Sequence, residues 1–241
     1  MTPDFLAVAA KTVQPGSLPR SRLLEALPPE LQLRLKSDLE TVILKRGELL
    51  IQPGLAFDFI HFPTDCMISM IVKIKSGSAI ESSTIGNDGF SGVSAFLGAN
   101  LGGVTNMVQI PGQALRMRVE AFDWFMNDPD FRAHLGSYVA RTLASMGQSA
   151  ACIAFHSFHE RLARWLLRVQ DDIESDEISL TQEFLAMMLG VHRPTVTIAV
   201  GLLETAELIT HRRGAITITD RPGLMAVACE CYIRTQRRLE S

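Results

Sequence analysis

The sequence predicts an α+β chain in three parts: an N-terminal β-roll of jelly-roll type, one long helix, and a C-terminal winged helix-turn-helix. Three observations predict it. Apolar runs between residues 41 and 117 are short and broken by turn residues. Asp128-Pro129-Asp130 then opens a stretch with no proline before Pro194. A helix–glycine–helix pattern at residues 181–205 is followed by two alternating segments that read as a hairpin.

Residues 1–20 carry Pro3, Pro15, Gly16 and Pro19 and are expected to form a flexible arm. The apolar stretch at 5–10 is short and follows Asp4, so it does not read as a signal peptide. Residues 21–127 are assigned to the roll. Its helical opening, 21–39, is split by Pro28-Pro29. The strands expected next are centred on Val42–Leu44, Leu49–Ile51, Phe57–Ile60, Met67–Val72, Ser83–Ile85 and Met107–Ile110. Arg46-Gly47, Pro53-Gly54, Gly86–Gly89 and Pro111-Gly112 separate them.

Residues 128–156 are assigned to the long helix and a hinge. Asp128 is an N-cap and Pro129 occupies the first helical position, where its missing N–H costs nothing. Leu135, Val139, Leu143, Met146, Ala150 and Ile153 recur at threes and fours. A helix of about 25 residues, roughly 38 Å long, exceeds what a compact domain needs, so this stripe is expected to pair with its copy in a homodimer.

Residues 157–241 are assigned to the winged helix-turn-helix. Leu162, Trp165, Leu166 and Val169 give its first helix an apolar face, and an acidic loop is expected from Asp171 to Glu177. Thr181 caps a short helix that ends at Gly190. The next opens at His192-Arg193-Pro194, with Val196, Ala199, Val200 and Leu203 as its buried stripe. Pro194, Thr197, Ile198 and Gly201 fall on the opposite side, with Arg193 as the one long donor near the N-terminal end. Such a helix suits the major groove, where arginine reads guanine and an apolar side chain meets a thymine methyl. The hairpin tip His211-Arg212-Arg213-Gly214 suits phosphate contact. A last helix is expected from Leu224 to Leu239, carrying Cys229 and Cys231 on different sides.

The 241 residues include 23 Lys+Arg and 26 Asp+Glu, a formal charge of −3, with 47 % apolar residues. That balance excludes a strongly charged tail and a mainly disordered chain. Residues 157–241 hold ten arginines against twelve acids, so any basic footprint is local and favours two copies binding together. Four scattered cysteines suit a reducing cytoplasm, the expected location. A cupin-like metal enzyme would need clustered histidines, and residues 41–117 hold only His61; no enzymatic activity is expected. Cys152, His156 and His159 would share a face of a continuous helix. A hinge there breaks that register, so no metal or other cofactor is expected, and His156 is read as bonded to backbone.

The stretches HERLARWLL (159–167), LTQEFLAMMLGVHRPTVTIAVGLLETAELI (180–209) and ITITDRPGL (216–224), with KRGELLIQPG (45–54) and STIGNDGFSG (83–92), resemble the Crp-Fnr superfamily of bacterial transcription regulators. The resemblance implies a sensor roll and a homodimer that binds a two-fold-related site on double-stranded DNA and contacts RNA polymerase. It places Thr181, His192 and Thr195 at phosphate-contacting positions and Arg193, Pro194 and Ile198 at base-reading ones. Cyclic-nucleotide members pair an arginine with the phosphate and a glutamate with the ribose. Here the matching window, 85–110, has Asp88 as its only charge. An effector is therefore expected to meet, at most, the backbone amides of Gly86, Gly89 and Gly92, and cyclic nucleotide is the alternative.

Overall fold

A computed structural model describes residues 20–75, 78–173 and 175–233. The expected arm, save Arg20, and the chain beyond Ile233 lie outside the described residues. Two short helices, α1 (Arg22–Glu25) and α2 (Pro29–Leu35), lead in, with Pro29 at the first position of α2. Leu31 and Leu35 face the core and Leu33 faces solvent.

Strands β1 (Glu40–Leu44), β2 (Leu49–Ile51), β3 (Phe59–Pro63), β4 (Met67–Lys73) and β5 (Ala79–Ile85) follow, then helix α3 (Val93–Phe96), β6 (Thr105–Ile110) and β7 (Gly112–Arg118). They form two antiparallel sheets, ordered β1-β7-β3 and β2-β6-β4-β5. Ile60, Phe62, Ile68, Ile85, Phe90, Val108 and Leu115 fill the core. β7 has no apolar run that stands out in the sequence. It forms because β1 and β3 both pair with it, making it the middle of its sheet.

Helix α4 (Val119–Phe125) connects the roll to α5 (Pro129–Phe155), 27 residues long. The Asp128 side chain accepts from the backbone amides of Asp130 and Phe131, as the capping pattern predicts. The Phe131 ring packs on both Phe122 and Phe125, with centroids 5.8 Å apart in each pair, and locks α5 to the roll.

The last third comprises α6 (Phe158–Ile173), β8 (Glu177–Ser179), α7 (Gln182–Leu189), α8 (Arg193–Thr205), β9 (Ile209–Arg212), β10 (Ala215–Ile218) and α9 (Arg221–Val227). Three expectations need correction. Asp171 and Asp172 are not in a loop: α6 continues through them because Arg221 and Arg168 pair with them. Glu177 begins β8, which adds a third strand to the hairpin in the order β8-β10-β9. The last helix does not run from Leu224 through the cysteines; α9 ends at Val227 and the chain turns at Ala228–Glu230 before a helical turn resumes at Cys231. Among the described residues no single helix is long and apolar enough to cross a membrane.

The C-terminal third packs on the roll. Met188 of α7 is buried with Ile71 and Met107 of the β2-β6-β4-β5 sheet. The Trp165 indole donates to Glu81 of β5 at 2.9 Å.

Candidate nucleic-acid interface

The turn between α7 and α8 follows from local chemistry. The Thr181 hydroxyl accepts from the Phe184 amide, opening α7. Gly190 ends it at φ +65°, a left-handed conformation that favours glycine. Its amide and that of Val191 satisfy carbonyls of the last turn of α7. His192 sits at the N-cap of α8 and Pro194 in its first turn. The two helices are bent 107° from one another.

Val196, Ala199, Val200 and Leu203 of α8 are buried in the C-terminal core. His192, Arg193, Pro194, Thr195, Thr197 and Ile198 are all exposed, Ile198 at 63 %. The split between the two sides of α8 follows the hydrophobic period of the sequence. Acidic neighbours engage two of the arginines expected to meet DNA. Arg193 pairs with Glu183 of α7 at 3.0 Å, and Arg212 with Glu177 of β8 at 2.6 Å. Thr197 donates its hydroxyl to Gln182 at 2.7 Å. The sequence showed these acids but not their proximity, which depends on the helix crossing and on β8.

The hairpin is tighter than expected. Arg212 pairs with Ala215 in the ladder, leaving Arg213-Gly214 as the tip, with Gly214 at φ +82°. His211 and Arg212 belong to β9 and both are exposed, as is Arg213. His211 sits 2.8 Å from a Glu204 carboxylate oxygen of α8, which ties the hairpin to that helix.

The expected dimer stripe divides. Leu135 and Val139 are not available to a second copy: both are buried in this chain's own roll core. Met146 is half-buried against the same core. Leu143, Ala150 and Ile153 are exposed, Leu143 at 56 %. The error has a simple origin, because periodicity identifies an apolar face but not which neighbour covers it. The open side of α5 runs instead through Ala140, Leu143, Gly147, Ala150 and Ala154, a three-four alternation of mostly small residues.

Gly86, Gly89 and Gly92 do not form an open anion cradle either. A side chain at Gly86 would meet Asp172 of α6, one at Gly89 the Tyr138 ring of α5, and one at Gly92 the Ile60 side chain. These glycines permit close packing. The countercharge missing from residues 85–110 arrives from α6: Arg168 sits 3.5 Å from Asp88 and 3.0 Å from Asp172. Burial opposes the Arg168 charge, but the Asp172 and Asp88 carboxylates raise its pKa above the usual arginine value. Beside this cluster β5, α5 and α6 enclose a cavity of about 80 Å³, with Arg141, Arg161, Arg164 and Arg168 in its wall.

Comparisons with known proteins agree with this geometry. Residues 160–227 match the Crp-like helix-turn-helix domain. No curated protein matches the chain. Among solved structures, a CRP/FNR-family transcriptional regulator from Thermus thermophilus superposes with a TM-score of 0.65 at 21 % identity, over 78 % of this chain and 98 % of that one. A CRP-family regulator from the same organism gives 0.66 at 15 % identity, over 78 % and 96 %. The c-di-GMP-responsive global regulator CLP of Xanthomonas campestris gives 0.64 at 14 % identity, over 79 % and 99 %. At these identities the likeness is one of fold.

Proposed function

With a Crp-like helix-turn-helix domain at residues 160–227 on the fold of Crp/Fnr regulators, the resemblance to the Crp-Fnr superfamily holds, and we propose that this chain is a homodimeric transcription regulator that reads a two-fold-related DNA site. The observation that carries the proposal is the sidedness of α8. Its apolar stripe is sealed inside, while Arg193, Pro194, Thr197 and Ile198 stand in solvent at its N-terminal half. That half is the part of a recognition helix that contacts base edges. Thr181, His192 and Thr195 flank it as phosphate contacts, and Arg212 and Arg213 add contacts from the hairpin.

The homodimer is built along the open side of α5. Ala140, Leu143, Gly147, Ala150 and Ala154 repeat with the alternation of a two-helix seam, and their small side chains let two backbones approach closely. RNA polymerase is the further partner that a regulator of this kind contacts. Its effector is a small anion, received in the cavity beside Arg141 and Arg164. Cyclic nucleotide is the second reading, because residues 85–110 hold neither the arginine nor the glutamate that cyclic-nucleotide members use.

The test is selection of bound fragments from a random DNA library, followed by affinity measurements over a range of salt. A palindromic consensus and a steep negative slope of log affinity against log salt are expected. Binding without sequence preference, or without salt dependence, refutes the reading.

A further inference from the structure

The turn that ends α9 has a chemical consequence. It carries Cys229 and Cys231 to the C-terminal end of α5, where Cys152 and His156 lie one helical turn apart. Four potential ligand atoms, three sulfurs and one imidazole nitrogen, fall within 4.8 Å of one another. Cys152 Sγ is 3.5 Å from Cys229 Sγ, and Cys231 Sγ is 3.6 Å from His156 Nδ1. A tetrahedral zinc ion with Zn–S bonds of about 2.3 Å and a Zn–N bond of about 2.0 Å needs sulfur–sulfur edges of about 3.8 Å and sulfur–nitrogen edges of about 3.5 Å. The three cysteines form a small buried cluster of their own, separate from the hydrophobic cores.

We propose that Cys152, His156, Cys229 and Cys231 are the ligands of one tetrahedral, thiophilic divalent cation, zinc in the first instance, at the junction between the long helix and the end of the DNA-binding domain.

A second, independent observation supports it. His156 Nε2 lies 3.0 Å from the Glu230 carboxylate while Nδ1 faces the sulfur cluster. With a cation on Nδ1, the proton sits on Nε2 facing Glu230, the arrangement by which a carboxylate orients a metal-binding histidine. Gln148 donates to Cys231 Sγ at 3.1 Å, as a partner to a metal-bound thiolate does. The charge is also provided for. Three thiolates and a divalent cation leave one net negative charge, and Arg164 acts electrostatically on Cys152 and Cys229. Binding releases the thiol protons, and affinity falls as pH falls.

The sequence expectation of no metal rested on a hinge breaking the helical register. The hinge is present: α5 ends at Phe155, His156 is extended and α6 begins at Phe158, so Cys152, His156 and His159 do not share one continuous helix. The sequence did not show that Cys229 and Cys231 fold back onto Cys152 and His156. His159 is not part of the set.

The experiment uses the full chain, purified under a thiol reductant, stripped with a chelator and titrated with cobalt(II) and then zinc(II). One cobalt per chain is expected, with intense tetrahedral d–d bands and thiolate-to-cobalt charge transfer, both abolished by zinc. Cys229→Ser and His156→Ala should each weaken binding by about 100-fold or more. Glu230→Gln should weaken it about 10–100-fold, and His159→Ala should leave it unchanged. Sub-stoichiometric cobalt, a weak octahedral spectrum, or acid-labile sulfide in the isolated protein would each overturn the proposal. So would equal metal loss in His159→Ala. Should a cysteine variant fail to fold, the wild-type cobalt spectrum still decides. None of these measurements depends on DNA binding.

Discussion

At the scale of single residues, the proposed DNA surface carries its own competitors. Arg193 and Arg212 are held by Glu183 and Glu177, both pairs well exposed. Exposed pairs of this kind are weak, on the order of 0–1 kcal/mol, so phosphate or guanine displaces the carboxylate readily. Arg193→Ala is expected to cost about 1–3 kcal/mol on the preferred site and to relax selection at one base position. Arg212→Ala should weaken all sequences alike and reduce the salt slope by about one. Affinity measurements on a set of single-base variants distinguish the two; a uniform loss from Arg193→Ala would mean the base reader is misplaced. Arg193 and its exposed neighbours were legible in the sequence, because a strict helical period separates Val196 and Val200 from Thr197 and Ile198. Glu183 as the partner of Arg193 was not, because it sits on a different helix ten residues earlier.

At the scale of elements, two positions test how the helices are fitted. Gly190 combines φ +65° with a close approach: a side chain there would come within 2.7 Å of Ile80 on β5. Gly190→Ala is expected to destabilise the chain by about 1–2 kcal/mol from the backbone term alone, with a further loss as α7 is pushed off β5. Thermal unfolding measures the first effect. Altered protease accessibility of residues 175–181 reads the second. On α5 the divided stripe yields opposite outcomes for neighbouring leucines. Leu135 is fully buried, so Leu135→Ala should destabilise each protomer by about 2–5 kcal/mol. Leu143 is 56 % exposed, so Leu143→Glu should leave the protomer folded and dissociate the dimer in analytical ultracentrifugation. A dimer unaffected by Leu143→Glu would move the seam elsewhere.

At the scale of the whole molecule, the joint between the roll and the DNA-binding domain contains a titrating group. Glu81 accepts from the Trp165 indole at 2.9 Å and from the Ser69 hydroxyl at 2.6 Å. Burial raises its pKa to about 7, although both hydrogen bonds and Arg164 oppose that rise. The folded state therefore holds this proton more tightly than the unfolded chain, whose glutamate titrates near about 4.3. The associated stability is fully present below about pH 4 and is lost as pH rises through about 7. Melting temperature should fall between about pH 5 and pH 8, and Glu81→Gln should flatten that fall. An unchanged pH profile in Glu81→Gln would remove Glu81 from the joint's titration. The same joint places α7 against β5, and the cavity beside Arg164 is lined by residues of both, so pH and domain packing act on shared residues.

By itself the sequence determined the order of the three parts, the cap at Asp128, the break at Gly190 and the inner and outer sides of α8. Each follows from local sterics or from a period within one element. Tertiary structure alone decided which side of α5 stays open, that Arg168 supplies charge to the glycine-rich segment, and that four residues from two distant segments meet at the end of α5. Those facts depend on which elements lie against one another, and no periodicity within a segment records the identity of its neighbour.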